Sequence, residues 1–288
     1  MKLHHRWHAW TEHLRFRYLP SVVDYLVHLS TYQARVKLKG APLTVLVDTN
    51  VIAHGVTHET QWVSTGYSSL WNIPLGYAAR VPVHAPTSTS PEYLSVRYLP
   101  GIAHLANRRF LLLKTSAELQ VEEGRLSAAR LNGGDVFDYS VFDRVERERM
   151  DSLPPGTYDY SDVFGAKQQR ARLNASNDPL YRALLDCLGQ KNSQDAWHIR
   201  TAEAHGCFCF LTMDFTLLRT VAPHQHREPF SSLKTRLMTP QTLGEYLALT
   251  PIPTKFFSYH RASFPVRPDL HQPGSERIKR QKKRSPSS

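Results

Sequence analysis

The stretch LTVLVDTNVIAHG, residues 43–55, is an apolar run that ends abruptly at an aspartate. Its first five residues do not alternate between polar and apolar side chains, as expected of a central parallel strand covered by helices on both faces. A carboxylate at the end of such a strand incurs a desolvation cost unless it has a partner. The position of Asp48 therefore favours a functional role for this acid.

Helix and strand patterns alternate along the rest of the chain and predict an α/β fold. A strand is expected at 110–114, with Thr115 or Ser116 capping the helix that follows. A helix from Asn192 or Ser193 to His205 precedes a second buried strand at 207–211. The segment RLMTPQTLGEYLAL, residues 236–249, indicates a short strand, a Thr-Pro helix start and a closing helix.

The remaining segments divide the chain around this main domain. Residues 1–40 predict a basic helical extension with Pro20 separating two helices, and residues 251–288 form a Pro-rich basic tail that we expect to be disordered. Within the main domain, 41–250, the connection at about 56–108 is a long insertion; its Ser-, Thr-, Gly- and Pro-rich part is either a functional lid or an inserted subdomain. Helices are expected at 92–107, with a bend near Pro100, at 136–152 and at 178–189.

Composition favours a polyanionic partner and no membrane. The chain has 36 Lys and Arg against 25 Asp and Glu, a balance that suits nucleic acid, although charged termini are as often simply solvated. No apolar run approaches the ~20 residues of a membrane-spanning helix. The basic N-terminus lacks the continuous apolar stretch of a secretory signal, so we expect a cytoplasmic protein. The three cysteines, Cys187, Cys207 and Cys209, are expected to be buried thiols rather than disulfides or metal ligands.

Two acids are brought together by the lengths of a helix and a strand. A helix from Asp195 to His205 advances about 15 Å, and a strand from Phe208 to Met213 returns about 16 Å. In a right-handed βαβ unit the two elements are antiparallel. Asp195 at the helix start and Asp214 after the strand are therefore expected at one edge of the sheet.

Asp48 and Glu118 belong to the same edge, because each follows the carboxyl end of a predicted strand. Open α/β folds place their ligands beyond this edge. Four carboxylates there repel one another unless cations neutralise them, and oxygen ligands suit Mg²⁺ or Mn²⁺. The sequence therefore predicts a divalent-metal site for phosphodiester hydrolysis. The alternative for Glu118 and Asp195, each in a first helical turn, is that they only complement the helix dipole.

Five pieces of the chain, in order, resemble the PIN domain family of nucleases, which includes the toxin ribonucleases of bacterial toxin–antitoxin pairs. They are VLVDTNVIAHG, TSAEL, DAWHIRTAEAHG, FLTMDFTLL and RLMTPQTLGEYL, and they frame most of 43–249. The resemblance implies a three-layer α/β/α sandwich with a central, mainly parallel sheet and a Mg²⁺- or Mn²⁺-dependent endoribonuclease. Asp48, Glu118, Asp195 and Asp214 match the four motif acids and are the expected catalytic and metal-binding residues.

Supporting roles follow from the same match. Asn50 and Thr212 stand where the family often has a polar residue and a hydroxyl, and we expect them to orient carboxylates or bound water. His198, one helical turn after Asp195, either faces the crevice or is a hydrogen-bonded structural histidine. Lys114 and Arg200 are candidate phosphate contacts or solvated charges.

Partners and alternatives depend on the parts that depart from the family pattern. RNA is the expected partner, together with an antitoxin protein and a homodimer mate. Trp62, Trp71 and Tyr77 of the insertion either stack on unpaired bases or pack against the core. The alternative function is a noncatalytic RNA-binding or assembly module with a PIN fold. A haloacid dehalogenase-type phosphatase is disfavoured because Asn50 occupies the place of its second aspartate.

Overall fold

The computed structural model describes residues 2–67, 73–85, 87–125, 139–152, 165–262 and 264–270. The strands of this described part are β1 (Leu43–Val47), β2 (Val56–Tyr67), β3 (Pro74–Pro82), β4 (Leu111–Thr115), β5 (Tyr139–Ser140), β6 (Glu148–Arg149), β7 (Cys209–Leu211) and β8 (Arg236–Met238). The helices are α1 (Lys2–Ser30), α2 (Tyr32–Lys37), α3 (Thr49–His54), α4 (Pro91–Val96), α5 (Leu99–Asn107), α6 (Ala117–Arg125), α7 (Ala166–Asn174), α8 (Pro179–Leu188), α9 (Ser193–Ala204), α10 (Phe215–Val221) and α11 (Pro240–Tyr246). Short 3₁₀ turns include Thr254–Phe257.

A five-stranded sheet in the order β6-β4-β1-β7-β8 forms the centre of the protein, and each pair of neighbours is parallel. Numbered along the chain within this sheet, the order is 3-2-1-4-5. The chain adds strands on one side of β1 and then on the other, so the order reverses between β1 and β7. Such a reversal is where open α/β sheets bind ligands.

Helices cover both faces of the sheet. Successive residues of a strand point to opposite faces, so each strand contributes to two cores. Val45 and Val47 of β1 are fully buried in a core that includes residues of α1, α5 and α11. Leu46, also fully buried, and Phe210 of β7 lie in a second core with residues of α6, α8 and α9. The predicted α/β/α sandwich with a central, mainly parallel sheet is confirmed.

The N-terminal extension contains one long helix where the sequence predicted two. Pro20 lies inside α1 (Lys2–Ser30), although proline removes a helix hydrogen bond and its ring crowds the preceding turn. Tertiary packing on both sides of Pro20 maintains the helix. Phe16 makes an edge contact with Tyr259, with ring centres 5.1 Å apart, and Val23 is fully buried.

The insertion contains an antiparallel hairpin of β2 and β3, and β5 pairs with the other side of β2. The sequence left two interpretations of this segment, a lid or an inserted subdomain. The hairpin belongs to a separate three-stranded sheet, which favours a subdomain. The expected helix at 92–107 is two helices, α4 and α5, broken at residues 97–98. Pro100 lies at the start of α5, where the N–H that proline lacks has no helical acceptor.

The expected helix at 136–152 is wrong over its described part, 139–152. This segment forms the short strands β5 and β6, which extend the hairpin sheet and the central sheet. Tyr139 pairs with His58, and Glu148 pairs with Lys114 of β4. An available strand edge therefore outweighs the helical tendency of the charged sequence.

The C-terminal region packs on the domain as far as it is described. Ile252 is 6% exposed and Phe257 is 3% exposed, and both lie in the core that contains α1. The disorder predicted for residues 251–288 is therefore wrong where this segment packs in the core, and residues 271–288 lie outside the described residues. In the described ranges, no helix combines the length and the apolar character needed to cross a membrane.

Candidate active site

The candidate site lies beyond the carboxyl ends of β1 and β7, where the strand order reverses. Asp48 directly follows β1, and Thr212 and Asp214 follow β7. The main-chain N–H of Asp48 donates to the carbonyl oxygen of Leu211 at 2.9 Å, which holds the two strand ends side by side. The fold thus delivers three polar side chains to the crevice in which ligands of α/β proteins bind.

Asp48 is 6% exposed, and polar neighbours hold its carboxylate. The Thr212 hydroxyl donates to Oδ2 at 2.6 Å, and the exposed Asn50 amide donates to the same oxygen at 3.4 Å. Asp48 precedes α3, yet its side chain does not cap that helix. Burial raises the pKa of Asp48, and the hydrogen bond from Thr212 acts in the opposite direction.

Thr212 also connects Asp48 to Asp214. Its hydroxyl oxygen accepts a hydrogen bond from the Asp214 N–H at 3.0 Å while donating to Asp48. Asp214 caps α10, because its Oδ1 accepts from the N–H groups of Thr216 at 2.8 Å and Leu217 at 3.0 Å. One carboxylate oxygen of Asp214 thus has a structural role, and Oδ2 takes no part in the cap.

Asp195 lies in the first turn of α9 and is partly exposed. Its pKa is raised to about 7: burial is the largest cause, the charges of Asp48 and Asp214 also raise the pKa, and the charge of His198 lowers it. The charges of Asp48 and Asp214 therefore reach Asp195. Asp195 thus lies within electrostatic range of the two strand-end aspartates, which agrees with the matched lengths of helix and strand.

The environment of Glu118 differs from that of the three aspartates. Glu118 is 4% exposed, and Arg172 of α7 binds both of its oxygens, with Nη2 2.9 Å from Oε2 and Nε 3.3 Å from Oε1. Glu118 is not among the main charges that act on Asp48 or Asp195. The strand before it, β4, neighbours β1 on the side away from β7.

Glu122, one turn further along α6, is the acid that sequence reasoning missed. Its Oε1 lies 2.9 Å from Nε2 of His198, and its charge acts on both Asp48 and Asp195. Burial opposes ionisation of Glu122, but His198, together with Arg125 and Gln169, outweighs it and the pKa is lowered. The i, i+4 spacing from Glu118 in AELQVEEG was the available signal.

His198 supplies a positive charge inside this acidic cluster. It is 2% exposed, and burial alone would lower its pKa; the charge and hydrogen bond of Glu122, aided by Asp48 and Asp195, raise the pKa to about 9. The histidine is thus buried and hydrogen-bonded, as in the structural interpretation, and its charge also acts on Asp48 and Asp195. Gln169 of α7, fully buried, supports the pair by donating to Glu122 Oε1 at 3.3 Å.

Comparison with known proteins gives no family assignment. No family model, curated protein or solved structure matches this chain. The site is therefore interpreted from its own residues.

The remaining residues that the sequence singled out are not part of this crevice cluster. Lys114 pairs with Glu148, and Arg200 binds Asp178 at 2.7 Å, so both cations are engaged in ion pairs. Trp62 is 58% exposed on β2, the Tyr77 hydroxyl accepts from Arg267 at 2.5 Å, and Trp71 lies outside the described residues. The cysteines are free thiols, and two of them, Cys207 and Cys209, are buried.

The carboxylate oxygens of the three aspartates are ligands of the type that hard cations prefer. Asp48, Asp195 and Asp214 offer carboxylate oxygens, and a nearby cation would act against the burial and the neighbouring acids that raise the pKa of Asp195. Among the described residues, no three His, Cys, Asp or Glu side chains are gathered closely enough to hold a metal ion together. Metal binding by these aspartates therefore requires their side chains to draw closer.

Proposed function

We propose that this protein is a divalent-metal-dependent endoribonuclease that hydrolyses RNA phosphodiester bonds at the crevice of Asp48, Asp195 and Asp214. One observation carries the proposal: the Thr212 hydroxyl bridges Asp48 and the backbone of Asp214 at the carboxyl ends of adjacent parallel strands. An acid with a strongly raised pKa at such a crevice, as at Asp195, marks a candidate functional site. The resemblance of the motifs to PIN nucleases supports the same reaction class.

The roles of the residues follow from their contacts. Asp48, Asp195 and Asp214 would hold Mg²⁺ or Mn²⁺, which supplies Lewis-acid stabilisation of the charge that develops on the phosphoryl oxygens. Thr212 fixes the orientation of the Asp48 carboxylate. Protonated His198, oriented by Glu122, would place a buried positive charge behind the acids that hold the ion. The net charge of +11 favours an RNA partner, and the cytoplasm is the proposed location.

A noncatalytic RNA-binding or assembly module is the second candidate. It is favoured by the Arg172 guanidinium, which occupies both oxygens of Glu118, the acid matched to the second motif position. In this alternative the acids stabilise the fold, and the basic surface binds RNA without cutting it.

Cleavage of total RNA tests the proposal. The wild type is incubated with Mg²⁺, Mn²⁺ or EDTA, beside Asp48→Asn, Asp214→Asn and Asp186→Asn, a control at an exposed aspartate of α8. We expect metal-dependent cleavage by the wild type and the control and none by the other two variants. Undiminished cleavage by both site variants would refute the site. Retention of RNA without cleavage by the wild type in either metal would favour the noncatalytic module.

A further inference from the structure

Exposed aromatic rings form a line along one face of α1. Trp7, Tyr18 and Tyr25 are 66%, 54% and 62% exposed. At about 100° per residue, positions separated by 11 and 7 residues lie within about 20° of one another. Val23 and Val27 bury the opposite face at 0% and 6% exposure, so the line points away from the protein.

Tyr32, at the start of α2, adds a fourth ring that is 62% exposed. It lies seven residues after Tyr25, which repeats the interval between Tyr18 and Tyr25. Together with the exposed Val22, Leu26 and Leu29 that lie between them in sequence, these rings form an apolar patch of the kind that marks an interaction surface. We refer to Trp7, Tyr18, Tyr25 and Tyr32 as the aromatic face.

Guanidinium groups accompany the rings. Arg17 lies 5.5 Å from the centre of the Tyr18 ring, and Arg35 lies 5.9 Å from the centre of the Tyr32 ring. Residues 1–40 hold seven Lys and Arg but only two acids, Glu12 and Asp24. The aromatic face therefore carries positive charge.

Both acids are directed to partners on the C-terminal segment. Glu12 binds Arg15 at 2.8 Å and accepts from the Tyr259 hydroxyl at 2.8 Å. Asp24 Oδ1 lies 3.6 Å from His260 Nε2. The seven Lys and Arg of residues 1–40 still outnumber these two acids.

We propose that the aromatic face binds single-stranded RNA, with bases stacking on the rings and phosphates contacting Arg17 and Arg35. Alternating rings and cations are the means by which proteins hold single strands without reading their sequence. A duplex hides the faces of its bases and cannot stack in this way. The choice of RNA rather than DNA rests on the proposed function. The assignment of the aromatic face as a surface for single strands does not depend on that function.

A second copy of this chain fits the same face less well. The exposed aliphatic side chains Val22, Leu26 and Leu29 beside the rings suit another helix. Two copies of this region, however, bring like charges together, because each carries an excess of basic residues. Charge complementarity therefore favours the polyanion.

Fluorescence anisotropy with a labelled oligouridylate tests the proposal. The full-length protein is titrated in EDTA, so that cleavage does not consume the probe, and a duplex RNA of equal length serves as the comparison. The test variant is Tyr18→Leu/Tyr25→Leu, which keeps apolar bulk but removes the rings. The matched control is Tyr18→Phe/Tyr25→Phe, which retains them.

We expect the Leu variant to bind the single strand at least about tenfold more weakly, because each ring on which a base stacks contributes to affinity. The Phe variant should bind within about twofold of the wild type. Arg17→Gln should reduce the salt dependence of binding by about one counterion. Equal affinity of the Leu variant and the wild type would overturn the proposal. So would a wild-type dimer that Leu26→Glu dissociates while RNA affinity is unchanged.

The binding and cleavage assays fail independently. If the protein binds the single strand through these rings but never cuts RNA, the nuclease proposal fails and this surface stands. If it cuts RNA while the Leu variant binds as tightly as the wild type, the surface fails and the nuclease proposal stands.

Discussion

Replacing Asp195 with Asn should stabilise the protein at alkaline pH in EDTA. The pKa of Asp195 is about 7 in the folded protein, against an ordinary value of 3.8, because burial and neighbouring acids disfavour its charge. Between these pH values the folded protein holds a proton that the unfolded chain has released. Stability therefore falls as pH rises from 3.8 to about 7, and the loss persists above that range.

The magnitude follows from the same pKa difference. About three pKa units correspond to an upper value of about 4 kcal/mol, at about 1.4 kcal/mol for each unit. Asp195 is partly exposed, so residual hydration reduces the effect. We expect the stability advantage of Asp195→Asn over the wild type to grow by about 2 kcal/mol between about pH 5 and about pH 8.

Urea unfolding in EDTA at both pH values measures this advantage, with Asp186→Asn on the exposed side of α8 as the control. The control should show no comparable growth. Adding Mg²⁺ at about pH 8 should then stabilise the wild type more than Asp195→Asn, because a ligand stabilises the state that binds it. An Asn variant whose stability relative to the wild type is the same at both pH values would refute the reasoning.

Three further substitutions test individual contacts. Glu122→Gln should lower the pKa of His198 from about 9, since it removes the charge that raises it; imidazole NMR measures this, and a pKa that stays near 9 would contradict the pairing. Thr212→Val should destabilise the protein by about 1–3 kcal/mol in urea unfolding by removing the donor to Asp48, whereas Thr212→Ser should retain stability. Arg172→Met leaves a buried glutamate unpaired and should lower the free energy of unfolding by about 3–5 kcal/mol; wild-type stability would show that the ion pair contributes nothing.

The sheet and the three aspartates of the site were predictable because strong local signals determine them. Leu43–Val47 lacks alternation, which is the pattern of a strand buried on both faces. In a parallel sheet every strand delivers the residue after it to the same edge. Asp48 and Asp214 therefore follow from strand ends alone, and Asp195 follows from the length of the helix before β7.

The failures arise where distant contacts outweigh local preference. Pro20 predicts a helix break, but residues packed before and after it keep α1 continuous. The charged segment before residue 152 has helical character, yet the open edges of β2 and β4 accept its short strands. Neither contact leaves a periodic signal in the sequence.

The choice between Glu118 and Glu122 also lies outside the local pattern. Both glutamates occupy α6, one helical turn apart. Their surroundings are set by other elements, because Arg172 is 54 residues from Glu118 and His198 is 76 residues from Glu122. A motif match locates the helix, and only the packing of α7 and α9 assigns each acid its partner.

The charges of the crevice indicate where a cation would gain most. Glu122 already shares the charge of His198 and accepts a hydrogen bond from Gln169, so it has the least to gain from a further cation. The pKa of Asp195 is raised to about 7, first by burial and then by repulsion from Asp48 and Asp214, and the charge of His198 does not offset these effects. In the proposed nuclease a divalent ion would therefore be attracted most strongly to Asp195, while Glu122 would act through its charge and orient His198.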